Sequence, residues 1–512
     1  MGPRMVTKEE IKKRLKALGL KKGNIVMVHS ALSSLGEVEG GAEKVIDAIL
    51  ETVGKEGTVV MTYPLGGAEV TRMFSMRPDV VKSGHPTHSV SAWGKRAGRL
   101  VVDHIKAETA CGKGTPFAKL IDWGGYILLL GVDQDRSTTL HTIEDYADVP
   151  YLSEKEVKCR DEKGQEKTKV LKRFPGPHRN FIGMDRLFRE TGVMKTGKIG
   201  NAVVRLMKAK KMVQVGLEAL RKKPEVFLCD NPNCTDCVMQ RGKIKSARLK
   251  EESFILTAVS DEVGSETDEI MTVLQGEGIS HVELRKVEGK ELLDLSGSQT
   301  QELKKRLADK GFSVSSLDTG INRISLKGDL IANMDRCKKS LDLAEIFGVK
   351  YLIISSFYLP EGNAGNFRKE VLEKLGEMAA LAQERKVALL IENEPGTYCS
   401  GSARCEDVIR SVNSPYLRLA FNPANFARNG EKPFLGIPSR VRKLSGLLYI
   451  NDGLFSGSYQ LPGYGNAEIK ELISILRCRS FGGFFSFKPC LGAGRESFKR
   501  SASAFWHLLD TM

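Results

Sequence analysis

Two hydrophobic rhythms alternate along the chain. Short apolar runs of strand length are separated by longer stretches in which apolar residues recur about every three to four positions. Near the start, "TKEEIKKRLKALGL" places Ile11, Leu15 and Leu18 on one helical face, behind a Thr7 cap with Glu10 three residues on. "NIVMVHSAL" predicts a buried strand running into a serine-rich loop, "GGAEKVIDAILETVG" a helix with a glycine stop, and "GTVVMTYPL" and "YILLLGV" two more buried strands. Such alternation predicts an α/β layer structure with loops at the strand ends. Residues Ser153 to Arg173 are polar enough for an exposed hairpin or insertion.

From Arg241 to Lys250, "RGKIKSARLK", hydrophobic residues thin out and basic ones concentrate, which predicts a linker, placed at 246–253 between a domain at 1–245 and one at 254–512. The period then changes. "FILTAVS", "HVELR", "FSVSSLD", "KYLIISSF", "VALLIENE", "LRLAFNP", "GLLYIND" and "GGFFSFK" are eight short apolar strands separated mostly by helical stretches. That pattern describes a closed (β/α)8 TIM barrel, which carries its working residues at the C-terminal ends of its strands. Two domains also fit the length, since 512 residues exceed the roughly 250–300 that one core can organise.

Composition changes this picture little. With 41% hydrophobic and 28% charged residues, the chain reads as soluble globular protein. Its longest clean apolar run, Tyr126 to Val132, is far below the ~20 residues of a spanning helix. "MGPRMVTKEE" has no apolar signal core and Val6 breaks the myristoylation pattern, so the expectation is a cytoplasmic protein without a membrane partner. Charge is more informative. Residues 1–250 carry 45 Lys+Arg against 29 Asp+Glu, whereas 251–512 carry 33 against 34. The scattered lysines form no recognisable nucleic-acid module, so a solvated basic surface is expected rather than a nucleic-acid partner. Within the basic half, residues 101–150 reverse sign, with 4 positive and 8 negative side chains. Asp133, Asp135, Glu144, Asp145 and Asp148 bracket His141 and suit a cationic small molecule. Oligomeric state is left open, a homo-oligomer included.

The 10 cysteines are dilute and irregular, which argues for reduced thiols rather than a disulfide framework. Cys229, Cys234 and Cys237 are the exception, three thiols within nine residues. A zinc or iron–sulfur site would want a fourth ligand, and neither a second CxxC nor a nearby HxxxH supplies one. Free thiols or a redox-sensitive cluster are therefore the expectation, and no metal is predicted.

"TTLHTIED" at 138–145 is the strongest candidate for chemistry. A histidine with a carboxylate three places later can be a proton-transfer pair, a metal half-site or one polar turn of a helix, and spacing alone does not choose. "VHSALSSLG" at 28–36, "SGHPTHSVSAWG" at 83–94 and "LLLGVDQDRSTTLHTIED" at 128–145 together resemble the aminoglycoside N3-acetyltransferase family. "GKGTPF" at 112–117 looks like that family's Gly-x-x-Ser-Pro loop, with Thr115 for serine, and "GKIGNAVVRLMKA" at 197–209 resembles its late helix. The likeness spans residues 5–245 and implies acetyl transfer from acetyl-CoA to an amine, with His141 as base and Glu144 as its orienting partner. The chemistry agrees: the amine must lose a proton to attack, an imidazole with a reference pKa of about 6.5 can take it, and a carboxylate at i+3 can fix the tautomer.

Direct transfer needs no separate nucleophile. Cys111, beside "GKGTPF", suggests a covalent route that the resemblance does not support. Ser30, Ser33 and Ser34, on a loop entering a helix, are the candidates to hold coenzyme A phosphates and amides. The resemblance implies that His85, Ser89, Thr115 and Phe117 complete the cofactor wall, although His85 and His88 also read as structural loop histidines. Tyr63, Asp133 and Asp145 are the candidate substrate-binding residues.

The second half resembles the xylose isomerase-like sugar phosphate isomerase and epimerase family, through "GISHVELRKVEGK" at 278–290, "LIISSFYLPEGN" at 352–363 and "IENEPGTYCSG" at 391–401. That family holds a divalent metal through two glutamates, an aspartate and a histidine at strand ends. Here Glu392 keeps the first position, but Asn422, Tyr449 and Lys488 stand where the aspartate, the histidine and the second glutamate belong, and Cys490 replaces a further histidine. A lysine ammonium beside a metal is repelled by several kcal/mol at intermediate dielectric, roughly. Lys488 is therefore expected to pair with Glu392, and the barrel to lack the family metal site. Two alternatives stay open: altered, metal-independent isomerase or epimerase chemistry in the barrel, and a binding or assembly protein with both sites idle.

Overall fold

The computed structural model describes residues 5–62, 68–160, 165–176, 178–251, 254–362, 364–479 and 481–512. Tyr63 lies outside them. The chain divides into two compact units, 1–244 and 245–512. Among the described residues no helix is long and apolar enough to cross a membrane.

The first unit is built on a seven-stranded sheet. In chain order its strands are β1 (Ile25–Ser30), β2 (Thr58–Thr62), β3 (Val81–Lys82), β4 (Val90–Gly94), β5 (Tyr126–Leu130), then, after a separate β6–β7 hairpin (Ser153–Arg160 and Glu166–Arg173), β8 (Met194–Ile199) and β9 (Ala202–Lys208). The spatial order is β3-β4-β2-β1-β5-β9-β8, with β1 parallel to both β2 and β5 and the outer pairings antiparallel. Central strands are covered on both faces, which is why they read as continuous apolar runs. Ile127 and Leu129 face one core with the helices Pro116–Asp122, Leu140–Tyr146 and Ala209–Lys222; Leu128 and Leu130 face the other with Lys8–Leu18 and Gly41–Val53. Thr7 caps its helix by accepting from the Glu10 N–H at 3.2 Å. Gly216 lets the helix Ala209–Lys222 approach Leu140–Tyr146, since a Cβ there would lie 2.4 Å from Ile143 Cδ1.

One expectation is overturned in this unit. "GKIGNAVVRLMKA" is not a helix but the β8–β9 hairpin with its turn at Gly200 and Asn201. Residues 202–208 alternate between buried and more exposed over their first half, as a strand does. Gly200 has φ +54°, and a Cβ on it would sit 2.2 Å from Leu35 O, so the turn needs glycine.

The second unit is the eight-stranded barrel. Leu256–Ala258, His281–Leu284, Ser313–Asp318, Tyr351–Ile354, Ala388–Glu392, Leu417–Phe421, Ser445–Ile450 and Phe484–Phe487 form one parallel sheet, in which Phe484–Phe487 pairs with Leu256–Ala258 and a bridge between Val259 and Glu283 closes the ring between the first two strands. Val259, Ile353, Leu390, Ala420, Leu447 and Tyr449 pack inside it. The stretch expected as a linker is helical, because Thr235–Glu251 is one helix; residues 252–253 lie outside the described ones. Two of its basic residues are anchored: Lys245 Nζ is 2.6 Å from Glu277, Arg248 Nη1 is 2.5 Å from Asp510, and both lie over the Trp506 ring while Leu249 enters the core; Lys243 and Lys250 are exposed.

Candidate active site

Strands β1 and β5 run side by side, with Ser30 paired to Leu130 at their C-terminal ends. The chain leaves β1 toward β2 on one side while β5 flanks the other, which makes this the switch point where open α/β sheets bind ligands. The loop after β5 leads into the helix Leu140–Tyr146, which carries His141 and Glu144.

Glu144 is fully buried and accepts three hydrogen bonds. His141 Nδ1 donates to Oε2 at 2.6 Å, while Tyr151 OH at 2.8 Å and Arg179 Nε at 2.6 Å donate to Oε1. Burial pushes this carboxyl up, but the hydrogen bonds and charges of His141 and Arg179 outweigh it and hold it below its ordinary value. Arg179 is fixed in turn by donating from Nη1 to Pro175 O and His178 O, with its guanidinium over the Tyr151 ring; its Nη2 is buried without a partner. The imidazole of His141 is one-fifth exposed and walled by Phe174 at 4.5 Å, Phe181 at 5.1 Å and His88 at 6.2 Å between ring centroids. No protein group among the described residues takes its Nε2. A base with a fixed tautomer and a free acceptor nitrogen is what proton removal from an amine requires.

A second group of imidazoles lies next to it. His85 stacks on His104 at 4.7 Å, and burial lowers both, to about 3 and about 4, with neighbouring positive charge adding to the shift. His104 bridges Ser83 Oγ and Ala110 O and is structural, whereas His85 Nε2 is buried with no partner. Ser89 donates to His85 O, and Thr87 lies between His85 and His88. Ser30 also has a buried, unpartnered hydroxyl, and Ser33 and Ser34 follow it on the turn Leu32–Leu35.

Thr115 and Phe117 do not turn their side chains to a ligand: Thr115 is buried, donating to Gly112 O and capping the helix Pro116–Asp122, and Phe117 packs in the core against His104. Glu144 is not part of an acidic surface, because it is buried and its charge is met by Arg179. Asp133 accepts from the Asp135 N–H at 2.9 Å, and Asp145 is half-buried, bonded to Thr109 and raised above its ordinary value mainly by burial. Asp145 packs so closely against the Gly112 loop that a Cβ on Gly112 would lie 2.3 Å from its Oδ2. Cys111 is fully buried and its thiol is pushed well up by burial and by Asp145 and Glu144, the reverse of an activated nucleophile. Sequence reading missed Tyr151, Phe174, Arg179 and Phe181, which no motif spacing joins to His141.

In the barrel, Lys488 Nζ lies 2.7 Å from both oxygens of Glu392, Asn422 Nδ2 donates to Glu392 Oε1 at 2.8 Å, and Tyr449 OH donates to Glu283 Oε1 at 2.9 Å. Burial would lower Lys488, but Glu392 and its acidic neighbours raise it, so it stays an ammonium. Arg323 joins Asp318, Glu392 and Glu394, and these groups border a cavity of about 680 Å3. Cys490, two residues after Lys488, is a thiol pushed up to about 11 chiefly by burial.

Fold and site together define an N-acetyltransferase of mixed α/β type joined to a parallel barrel. The family model for aminoglycoside 3-N-acetyltransferase matches residues 27–69 and 66–221, and that for the xylose isomerase-like TIM barrel matches 274–501. The SPbeta prophage-derived aminoglycoside N(3')-acetyltransferase-like protein YokD of Bacillus subtilis is 32% identical over 238 residues, covering 39% of this chain and 87% of that protein. Aminoglycoside N(3)-acetyltransferase IV of Salmonella is 29% identical over 239 residues, covering 43% and 90%. A crystal structure of aminoglycoside acetyltransferase AAC(3)-IVa aligns at 27% identity over 48% of this chain and 99% of that one, with a TM-score of 0.43. The chain belongs to the aminoglycoside N3-acetyltransferase family and carries a xylose isomerase-like TIM barrel as its second unit.

Proposed function

We propose that the first unit transfers an acetyl group from acetyl-CoA to an amino group of an aminoglycoside or related amino sugar, with His141 as general base and Glu144 orienting it. One observation carries this reading: His141 Nδ1 is held by a buried carboxylate while Nε2 has no protein partner among the described residues. Bound acetyl-CoA supplies the activated acetyl group as a thioester. His141 Nε2 takes the proton that the attacking amine must lose, and Glu144 stabilises the imidazolium that forms. Phe174 and Phe181 keep water from one side of the ring. The unpartnered buried atoms Ser30 Oγ and His85 Nε2 suit a ligand rich in donors and acceptors, with Ser33, Ser34 and Ser89 alongside. Asp133 and Asp145 supply negative charge for the ammonium form of the amine as it arrives.

Acetyl transfer to aminoglycosides and simple amino sugars, followed as thiol release, tests the reading. His141→Ala is expected to lose roughly 10²–10⁴ in kcat; undiminished turnover removes His141 from the mechanism. Failure of the wild type to bind coenzyme A in calorimetry would favour a binding or assembly role instead. For the barrel, we propose that Lys488 neutralises Glu392 in place of the family's ion and that metal-assisted isomerisation is lost, an assignment supported by the two 2.7 Å contacts. A divalent ion lost on Glu392→Gln would overturn it.

A further inference from the structure

The three clustered cysteines acquire a fourth companion in the fold. His178 lies beyond the β6–β7 hairpin, Cys229 on the segment after the helix Ala209–Lys222, Cys234 just before the helix Thr235–Glu251 and Cys237 in its first turn. His178 Nδ1 is 3.3 Å from Cys234 Sγ and 3.3 Å from Cys237 Sγ. One donor atom from each of the four residues lies within 4.8 Å of all the others. In a tetrahedral zinc site with Zn–S of about 2.3 Å and Zn–N of about 2.0 Å, donors stand roughly 3.5–3.8 Å apart. Sequence spacing hid this companion because it lies far upstream.

The surroundings already hold the four groups in place. The Cys229 N–H donates to Cys237 Sγ at 3.4 Å, the His178 N–H to Asp236 Oδ2 at 3.1 Å, and Gln240 Nε2 to Pro175 O at 2.6 Å, while Arg241 Nη1 bonds Cys229 O. Cys234 and Cys237 sit at the start of a 17-residue helix, where the Cys237 N–H lowers the Cys234 thiol while burial raises that of Cys237. A disulfide would use two of the sulfurs and leave the third and the imidazole without a function. Three thiols with one imidazole select zinc by ligand type and geometry.

We propose that His178, Cys229, Cys234 and Cys237 bind one zinc ion in a closed Cys3His site. Binding deprotonates the three thiols, releases those protons to solvent and takes His178 as the neutral imidazole coordinating through Nδ1. Four protein donors leave no open position, so the ion is structural. It fastens the segment 174–181, which carries Phe174, Arg179 and Phe181, to the start of the helix Thr235–Glu251. His178 O itself accepts from Arg179 Nη1, and Arg179 Nε donates to Glu144, so the ion stands behind the residues that position His141. This inference does not depend on the identity of the acceptor amine.

The full chain, purified without chelators under reducing conditions, is expected to contain one zinc per chain by elemental analysis. Cobalt exchanged into it should give thiolate charge-transfer bands and tetrahedral d–d absorption. Cys229→Ser combined with Cys234→Ser should lower metal content at least about tenfold and abolish those bands, whereas His178→Cys should keep the metal and His178→Ala weaken it, roughly 10–100-fold. A wild-type chain that neither contains zinc nor takes up cobalt overturns the proposal, and this result needs no variant to fold. So does metal undiminished in the double variant, iron as the resident metal, or an intramolecular disulfide among these cysteines found by mass spectrometry.

Discussion

Glu144→Gln isolates the orienting carboxylate with the least change of shape. Glu144 accepts from three donors, and Arg179 cannot give up its proton. The carboxamide oxygen must therefore stay with Arg179 Nε and Tyr151 OH, which turns the NH2 toward His141 Nδ1. That nitrogen then has to accept, so the ring proton moves to Nε2 and the base has no lone pair for the amine. Loss of general-base catalysis is worth roughly 10²–10⁴ in kcat. The substitution also leaves Arg179, 2% exposed, with no counter-charge, which costs about 3–5 kcal/mol of stability. Steady-state thiol release and thermal unfolding separate the two effects. kcat within about threefold of wild type in a folded but destabilised variant would refute the tautomer argument and leave Glu144 only a stabilising role.

Acid should destabilise the first unit in a defined window. His29 and His88 are lowered to about 4 chiefly by burial, as are His104 to about 4 and His85 to about 3, against an unfolded value near 6.5. The unfolded chain binds the extra protons, so stability falls as pH drops from 6.5 toward 3–4, by up to about 3 kcal/mol for His29 and about 5 kcal/mol for His85, and urea titrations at stepped pH should show it. Lys488→Met should cost up to about 3–5 kcal/mol by leaving buried Glu392 with only Arg323, at 3.4 Å, as counter-charge, and adding Glu392→Gln should recover most of that in chemical denaturation. Asp145→Asn should raise KM for a polycationic amine several-fold with kcat little changed; an unchanged KM would remove Asp145 from the acceptor site.

The barrel was legible because each strand is a short apolar run between helical stretches, and all eight runs are strands. The β8–β9 hairpin was not, because the likeness of "GKIGNAVVRLMKA" to a helix and the alternating pattern in "AVVRLMK" point in opposite directions. The basic stretch 241–250 reads as a linker by composition, yet Lys245 and Arg248 lie over Trp506 and pair with Glu277 and Asp510, which composition cannot reveal. In the candidate site, the His141–Glu144 pair lies within one helical turn and so could be found in the sequence. Tyr151, Phe174, Arg179 and Phe181 reach it only through tertiary folding, and spacing rules for local motifs are blind to them.

The Glu392–Lys488 contact also bears on how the barrel depends on its medium. A divalent ion is a supplied part: it exchanges with the surroundings, competes with other ions and can be stripped away. An ammonium on the backbone's own tether is inherited with the sequence, present from the moment the strands close, and beyond the reach of a chelator. It brings a single charge and no vacant coordination position, so it can bind an anion or donate a hydrogen bond but cannot act as a Lewis acid toward a carbonyl.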